Sequence, residues 1–445
     1  MYAIRDIPEL RACDEQRQLV RIPPELDVPL TDRVKRLIDT VEFRRLARIT
    51  QLGLVSLVYP AANHTRFEHS LGVYRLALLF LKRLESDERF QRIVRPEEAE
   101  LLIAAALLHD LGHWPFCHAI EDLRLPGVPR HEMFVSSFLL ESEIGDVLRN
   151  DWNINPRDLV HLLHGGSPRE PGERLLAGIL SGPIDIDKMD YLYRDSVHAG
   201  VPYGRNFDQQ RLVKSLCVNE AGDGLAITEK GKTAAELMLF ARYVMFSEVY
   251  WHHAVRSATA MLQRAFYQLY SRLDLDVLFR QSEWDFVQTL RGIAGNGAAG
   301  VLLDGVFGTQ RCLFKRVAQY SAIENEELYR RLARRPYPWL AACGEELAAL
   351  LSARIKRVVA PFEVMVDAPP VHKEIEFQVD VFFPKEQCYR PLVQVSPVVR
   401  ALAQQQFDDY VKRVRIFAAP RICEELRDLR DFSDLVHAAV DRADS

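Results

Sequence analysis

Apolar and polar positions along this chain alternate mostly with a helical period. Residues 32–46 place apolar side chains three and four apart with charges between them, which predicts an amphipathic helix. Residues 68–84 are apolar almost all round and predict a core helix. Residues 96–111 open with a proline and two glutamates and run into Gly112 and Pro115, the start and stop signals of a helix. Helices are also predicted over 131–140, over 187–194 and, as one long amphipathic element, over 236–270. Two short segments, 216–218 and 225–228, flank Asn-Glu-Ala-Gly-Asp-Gly and predict a hairpin. Residues 374–383 alternate with period two, as a half-buried strand does. Glycine-rich stretches at 165–172 and 292–300 read as linkers. The expected fold class is mainly α. A helical core over 1–275 carries the short β-hairpin, and a mostly helical C-terminal lobe over 276–445 contains one or two strands.

Composition narrows the setting. The longest strictly apolar run, 101–108, has eight residues, against about 20 for a membrane span. The N-terminal Met-Tyr-Ala-Ile-Arg-Asp-Ile-Pro lacks the apolar stretch of a secretory leader. Seven scattered cysteines without a CxxC pair argue for reduced thiols in a cytoplasmic setting and against a zinc-thiolate site. A net charge of −5 offers no overall positive field to nucleic acid or an anionic membrane. Histidine is the informative residue. Eleven of the 13 lie between His64 and His253, so the chemistry is expected there. The C-terminal lobe has only His372 and His437, which suits packing, assembly or regulation.

The candidate chemistry starts at His109-Asp110, where an apolar helix meets the breaking residues Gly112 and Pro115. Adjacent imidazole and carboxylate offer one nitrogen and one oxygen ligand to a divalent metal. Further ligands must come from elsewhere. His69 at the start of the 68–84 helix and Asp187 at the start of the 187–194 helix are the candidates, giving the order His…His-Asp…Asp. His118 and Glu121, three apart, share a helix face, so the carboxylate can orient or charge the imidazole. Asp187, Tyr191 and Asp195 recur every four residues and share another face, with Lys188 at its edge. Lys188 is the only lysine between Lys82 and Lys214.

Four stretches carry a family resemblance: Leu37-Ile-Asp-Thr-Val-Glu-Phe-Arg-Arg-Leu46, Thr65-Arg-Phe-Glu-His-Ser-Leu-Gly-Val73, Leu108-His-Asp-Leu-Gly-His-Trp-Pro-Phe-Cys-His118 and Asp185-Ile-Asp-Lys-Met-Asp-Tyr-Leu-Tyr-Arg-Asp195. Together they resemble the HD-domain metal-dependent phosphohydrolases. Among these, the chain is most similar to the deoxynucleoside triphosphate triphosphohydrolases of the SAM-and-HD-domain type, without the SAM domain. The resemblance implies a divalent metal ion (Mn, Fe, Zn, Ni or Mg) on His69, His109, Asp110 and Asp187. It implies water attack on the α-phosphorus of a dNTP, releasing a deoxynucleoside and inorganic triphosphate. His118 is then the proton donor to the leaving oxygen, supported by Glu121, with His113 and His131 nearby. Gln51, Arg66, Lys188, Tyr191, Asp195, Arg242, Tyr250 and His252 are the implied substrate contacts.

Members of that type are often homo-oligomers, dimers or tetramers, switched on by a nucleotide at a second site. Asp39 of that site is present, but Arg44 and Ala47 stand where guanine-reading members have Gln and Arg. Activation by another nucleotide, or none, is left open. Phe246 replaces a polar residue expected near the phosphates. Two other readings stay open at the level of sequence: an HD-type phosphohydrolase or phosphodiesterase for another nucleotide or single-stranded nucleic acid, and a non-catalytic nucleotide sensor.

Overall fold

The computed structural model describes residues 2–15, 18–140, 142–164, 170–370, 378–404 and 411–445. The chain is mainly α, with short strands in small sheets. It forms two compact units that recross the sequence: Met1–His113, Arg130–Met245 and Ile375–Gln404 make the first, and Trp114–Pro129, Phe246–Glu374 and Gln405–Ser445 the second. Among the described residues, no helix is long and apolar enough to cross a membrane, and all seven cysteines are free thiols.

Three helices of the first unit pack together and carry most of its chemistry-bearing residues. Arg66–Leu84 starts where the Thr65 hydroxyl accepts from the Glu68 amide, and it is buried along nearly its whole length. Such a helix needs apolar side chains all round, as the sequence supplies. Pro96–Leu108 begins with proline at its first position, and the Glu98 carboxylate accepts from the Arg95 amide at 2.7 Å. Every residue from Leu102 to Leu108 is buried. Ile186–Ala199 is capped by Asp185, whose carboxylate accepts from the Lys188 amide at 2.6 Å, and it stops at Gly200 in the left-handed region.

Close packing explains two glycines. A methyl group at Gly112 would lie 2.2 Å from the His131 carbonyl. One at Gly72 would lie 2.0 Å from Asp190 Oδ1 and 2.2 Å from an Arg194 nitrogen, so the Arg66–Leu84 and Ile186–Ala199 helices meet where no side chain intervenes. Gly72→Ala is therefore expected to cost about 1–3 kcal/mol by overpacking, read as a lower urea midpoint at unchanged slope. An unchanged midpoint would contradict that close approach.

Several elements differ from the sequence pattern for local reasons. The 32–46 helix divides, because the Thr40 hydroxyl accepts from the Phe43 amide and starts Val41–Arg45 afresh after Asp32–Ile38. The 131–140 segment is two short turns, His131–Phe134 and Ser136–Leu139. The long 236–270 helix ends at Met245, passes through a π-helical turn Phe246–Tyr250, and resumes as His253–Leu269. The predicted hairpin pairs Leu216–Val218 with Leu225–Thr228, and the Asn219 side chain accepts from the Asp223 and Gly224 amides within its turn. Leu225–Thr228 also pairs in parallel with Asp380–Phe383, which pairs with Cys388–Pro391. Residues 374–377 of that predicted strand, and 165–169 of the first predicted linker, lie outside the described residues. The 292–300 stretch joins two helices of the second unit, Glu283–Ala294 and Ala298–Phe307.

The second unit holds more strand than the one or two expected of residues 276–445. Its sheet runs Lys315–Tyr320, Val414–Ala418, Val364–Asp367, all antiparallel. The latter two strands are buried on both faces, so they show no alternation to read. A hairpin of the first unit, Leu19–Ile22 with Leu26–Pro29, was equally invisible.

Candidate functional site

His69, His109 and Asp187 bring one ligand atom each to within 4.8 Å of one another. His69 Nε2 lies 3.2 Å from His109 Nε2 and 3.0 Å from Asp187 Oδ1. Asp110 completes the group, with Oδ1 3.4 Å from His109 Nε2 and Oδ2 3.8 Å from His69 Nε2. His69 and Asp110 are buried, and Asp187 is the most open member.

The surroundings fix which nitrogens face this centre. His69 Nδ1 donates to Asp190 Oδ2 at 2.8 Å, and His109 Nδ1 donates to the Ala106 carbonyl at 3.0 Å. Each neutral ring then presents Nε2 as an acceptor. Two ring lone pairs and two carboxylates converge, an arrangement that repels itself unless a cation or a proton sits within it. Burial works against protonating His69, but hydrogen bonds to Asp187 and Asp190 and the charge of Asp110 outweigh it and push its pKa up to about 10. Burial likewise works against ionising Asp110, but His113, Arg66, His109 and His69 hold its carboxyl well below the usual range. The donor set of two imidazoles and two carboxylates thus fits a divalent ion.

A buried network stands behind His69. Asp190 receives a two-pronged pair from Arg194, at 2.8 and 2.7 Å. Arg194 also donates to Glu68 at 2.7 Å and to the Pro23 carbonyl at 3.0 Å. Glu68 pairs with His198 Nε2 at 2.8 Å, the His198 ring stacks on His64 at 4.3 Å, and His64 Nε2 meets Asp195 at 2.9 Å. On the other side, Arg66 donates to Asp110 Oδ2 at 2.7 Å and His113 Nδ1 lies 3.1 Å from Asp110 Oδ1. The His131 ring lies 3.8 Å from that of His113.

The remaining predicted residues are placed as follows. Asp195 is buried against His64, and Tyr191 is half-buried on the same helix. The Lys188 ammonium is engaged by Asp185 at 2.6 Å and the Gly182 carbonyl at 3.2 Å, at its own helix start. Gln51 is tied by its backbone amide to the His64 carbonyl at 2.9 Å. Among the described residues, Gln51 Oε1 and Arg66 Nε are buried without a hydrogen-bond partner. Arg242 is half-buried near the end of Lys232–Met245. The second unit carries the other four. His118 is largely exposed on Cys117–Glu121, with Nδ1 3.3 Å from Glu121 Oε2. Tyr250 closes the π-turn edge-on to Phe246, at 5.1 Å. His252 caps His253–Leu269, its Nδ1 accepting from the Ala254 amide at 3.3 Å.

Comparison with known proteins places this geometry. A model of the HD domain matches residues 66–195, and a model of the HD associated region matches 207–438. The chain belongs to the HD-domain phosphohydrolases. The HD segment spans all four converging residues and most of the network behind them, with His64 and His198 just outside it. An uncharacterized protein of Methanocaldococcus jannaschii is 29% identical over 416 residues, covering 92% of this chain and 81% of that one. A deoxynucleoside triphosphate triphosphohydrolase homologue of Dictyostelium discoideum is 32% identical over 247 residues, covering 54% of this chain and 47% of that protein's length. The crystal structure of a hypothetical protein from Aquifex aeolicus superposes with a TM-score of 0.71 at 29% identity, covering 92% of this chain and 98% of that one.

Sequence reading missed Glu68, Asp190 and Arg194 within the HD segment and His198 just after it. Asp190 and Arg194 are four apart on the face beside Asp187, Tyr191 and Asp195. That spacing is ordinary for a surface ion pair, and burial alone sets this one apart.

Proposed function

We propose that this HD phosphohydrolase is a metal-dependent deoxynucleoside triphosphate triphosphohydrolase, which converts a dNTP to a deoxynucleoside and inorganic triphosphate. The observation that carries the reading is the convergence of His69, His109, Asp110 and Asp187 with both Nε2 atoms turned inward. These four residues would hold the ion. A bound divalent ion there would lower the pKa of a water and offset negative charge at phosphorus.

The chain's own residues do the rest. Asp190 holds the His69 tautomer, and Arg66 and His113 hold Asp110. Gln51 Oε1 and Arg66 Nε, one acceptor and one donor still unmet, suit a sugar hydroxyl and a phosphate oxygen. Water attacks the α-phosphorus, the bond to the 5′ oxygen breaks, and His118, polarised by Glu121, gives that oxygen its proton. Lys188 reaches phosphate only by exchanging Asp185 for it. The same reading takes 1–275 as the catalytic core, 276–445 as an assembly or regulatory lobe, and a homo-oligomer as the working form.

The test is a panel of dNTPs, NTPs and diesters with Mn, Mg, Co and Ni, using His109→Ala as the blank. Inorganic triphosphate is expected from at least one dNTP. Monophosphate or pyrophosphate as the only product, or turnover of diesters alone, would overturn the assignment.

A further inference from the structure

Arg45 is the last residue of the Val41–Arg45 helix, and it acts on a turn 66 positions further along the chain. One nitrogen of its guanidinium, Nη2, donates to the Leu111 carbonyl at 2.7 Å and to the His113 carbonyl at 2.9 Å. The guanidinium carbon lies 4.6 Å from the centre of the ring of Phe138, a buried side chain. A cation seated on an aromatic ring and bonded to two main-chain acceptors has little freedom to move.

The turn it grips is the one that carries His109 and Asp110. Pro96–Leu108 stops there, the Leu111 amide donates to the Leu108 carbonyl at 3.1 Å, and the His113 amide donates to the Asp110 carbonyl at 3.0 Å. Leu111 is fully buried, and among the described residues its carbonyl accepts a side-chain hydrogen bond from Arg45 alone. Without the guanidinium that buried oxygen is left unmet, which drives the turn to rearrange. Asp110 immediately precedes the first gripped residue. His113, the second, pairs with Asp110 Oδ1 at 3.1 Å. Arg66 thus holds the Asp110 carboxylate at 2.7 Å, while Arg45 holds the backbone that carries it.

Given the reading of His69, His109, Asp110 and Asp187 as holders of a divalent ion, on which this rests, we propose that Arg45 is a positioning residue of that centre. It acts through the Leu111 and His113 carbonyls. With the turn fixed, His109 Nε2 and the Asp110 carboxylate stay turned toward His69 Nε2. With the turn released, the two adjacent ligands lose their aim together.

The experiment compares Arg45→Met and Arg45→Lys with the unmodified full-length chain, once circular dichroism shows that each is folded. Methionine keeps apolar bulk on Phe138 and removes the donors, whereas lysine keeps a cation with three N–H donors on one nitrogen. Mn affinity is measured by competition against a chelator, and amide hydrogen exchange is followed in the metal-free protein. Arg45→Met is expected to weaken Mn binding about tenfold or more and to quicken exchange over 109–113 but not over 186–199. Arg45→Lys is expected to recover most of the lost affinity. Mn binding by Arg45→Met as tight as that of the unmodified chain overturns the positioning role, and so does a lysine variant as weak as the methionine one. Exchange that quickens equally over 186–199 marks general destabilisation and also overturns it. An unmodified chain that binds no Mn overturns the metal reading itself, and is seen before any variant is compared.

Discussion

Asp110→Ala is expected to abolish stoichiometric metal binding and to lower turnover about a thousandfold or more. Asp110 faces both ring nitrogens of the centre and is the point where Arg66 and His113 attach. Its loss would remove one of the four proposed ligands and leave the buried Arg66 cation without its carboxylate. Losing several kcal/mol of transition-state charge stabilisation corresponds to a factor of about 10³. Metal content by mass spectrometry and initial rates on the reactive dNTP measure both effects, with circular dichroism to show that the chain is folded. A folded variant that keeps its metal and more than a tenth of its rate would remove Asp110 from the ligand set.

Asp190→Ala has the second large effect, and it acts on stability as well. Asp190 touches no ligand position itself. It joins the His69 Nδ1 proton to the Arg194 guanidinium, and all three side chains are buried. Removing one partner of a buried pair costs about 3–5 kcal/mol, and freeing a metal-ligating imidazole costs about 10–100-fold in metal affinity. Both losses are expected together, in urea unfolding and in competition against a chelator. Asp190→Asn retains an acceptor for His69 but not the charge facing Arg194. It is expected to recover metal affinity more than stability. Equal recovery of both would show that the two roles are not separable.

The parts legible in the sequence were those that announce themselves locally. His109-Asp110 ends an apolar helix just before Gly112, and buried polar residues at such a place demand a partner. His69 and Asp187 each stand within four residues of a capping side chain, Thr65 or Asp185, so their helix starts were visible. The parts not legible are set by tertiary burial. Arg194 reads as an exposed helix residue until Gly72 lets the helices close over it. His64 and His198 are 134 positions apart and meet only as stacked rings. The break at 246–250 needs a π-turn, which no periodicity announces. The resemblance implies Lys188 as a substrate contact, but its pairing with Asp185 depends on a helix cap that brings the two together, and no motif announces that pairing.

The proposed reaction is hydrolysis at the α-phosphorus of a dNTP by a metal-dependent HD centre. Its most direct test is a single turnover of the reactive dNTP in ¹⁸O-water with the metal-loaded protein, followed by mass spectrometry of both products. One ¹⁸O is expected in the inorganic triphosphate and none in the deoxynucleoside. Label in the deoxynucleoside 5′ hydroxyl, or labelled monophosphate in place of triphosphate, would contradict it.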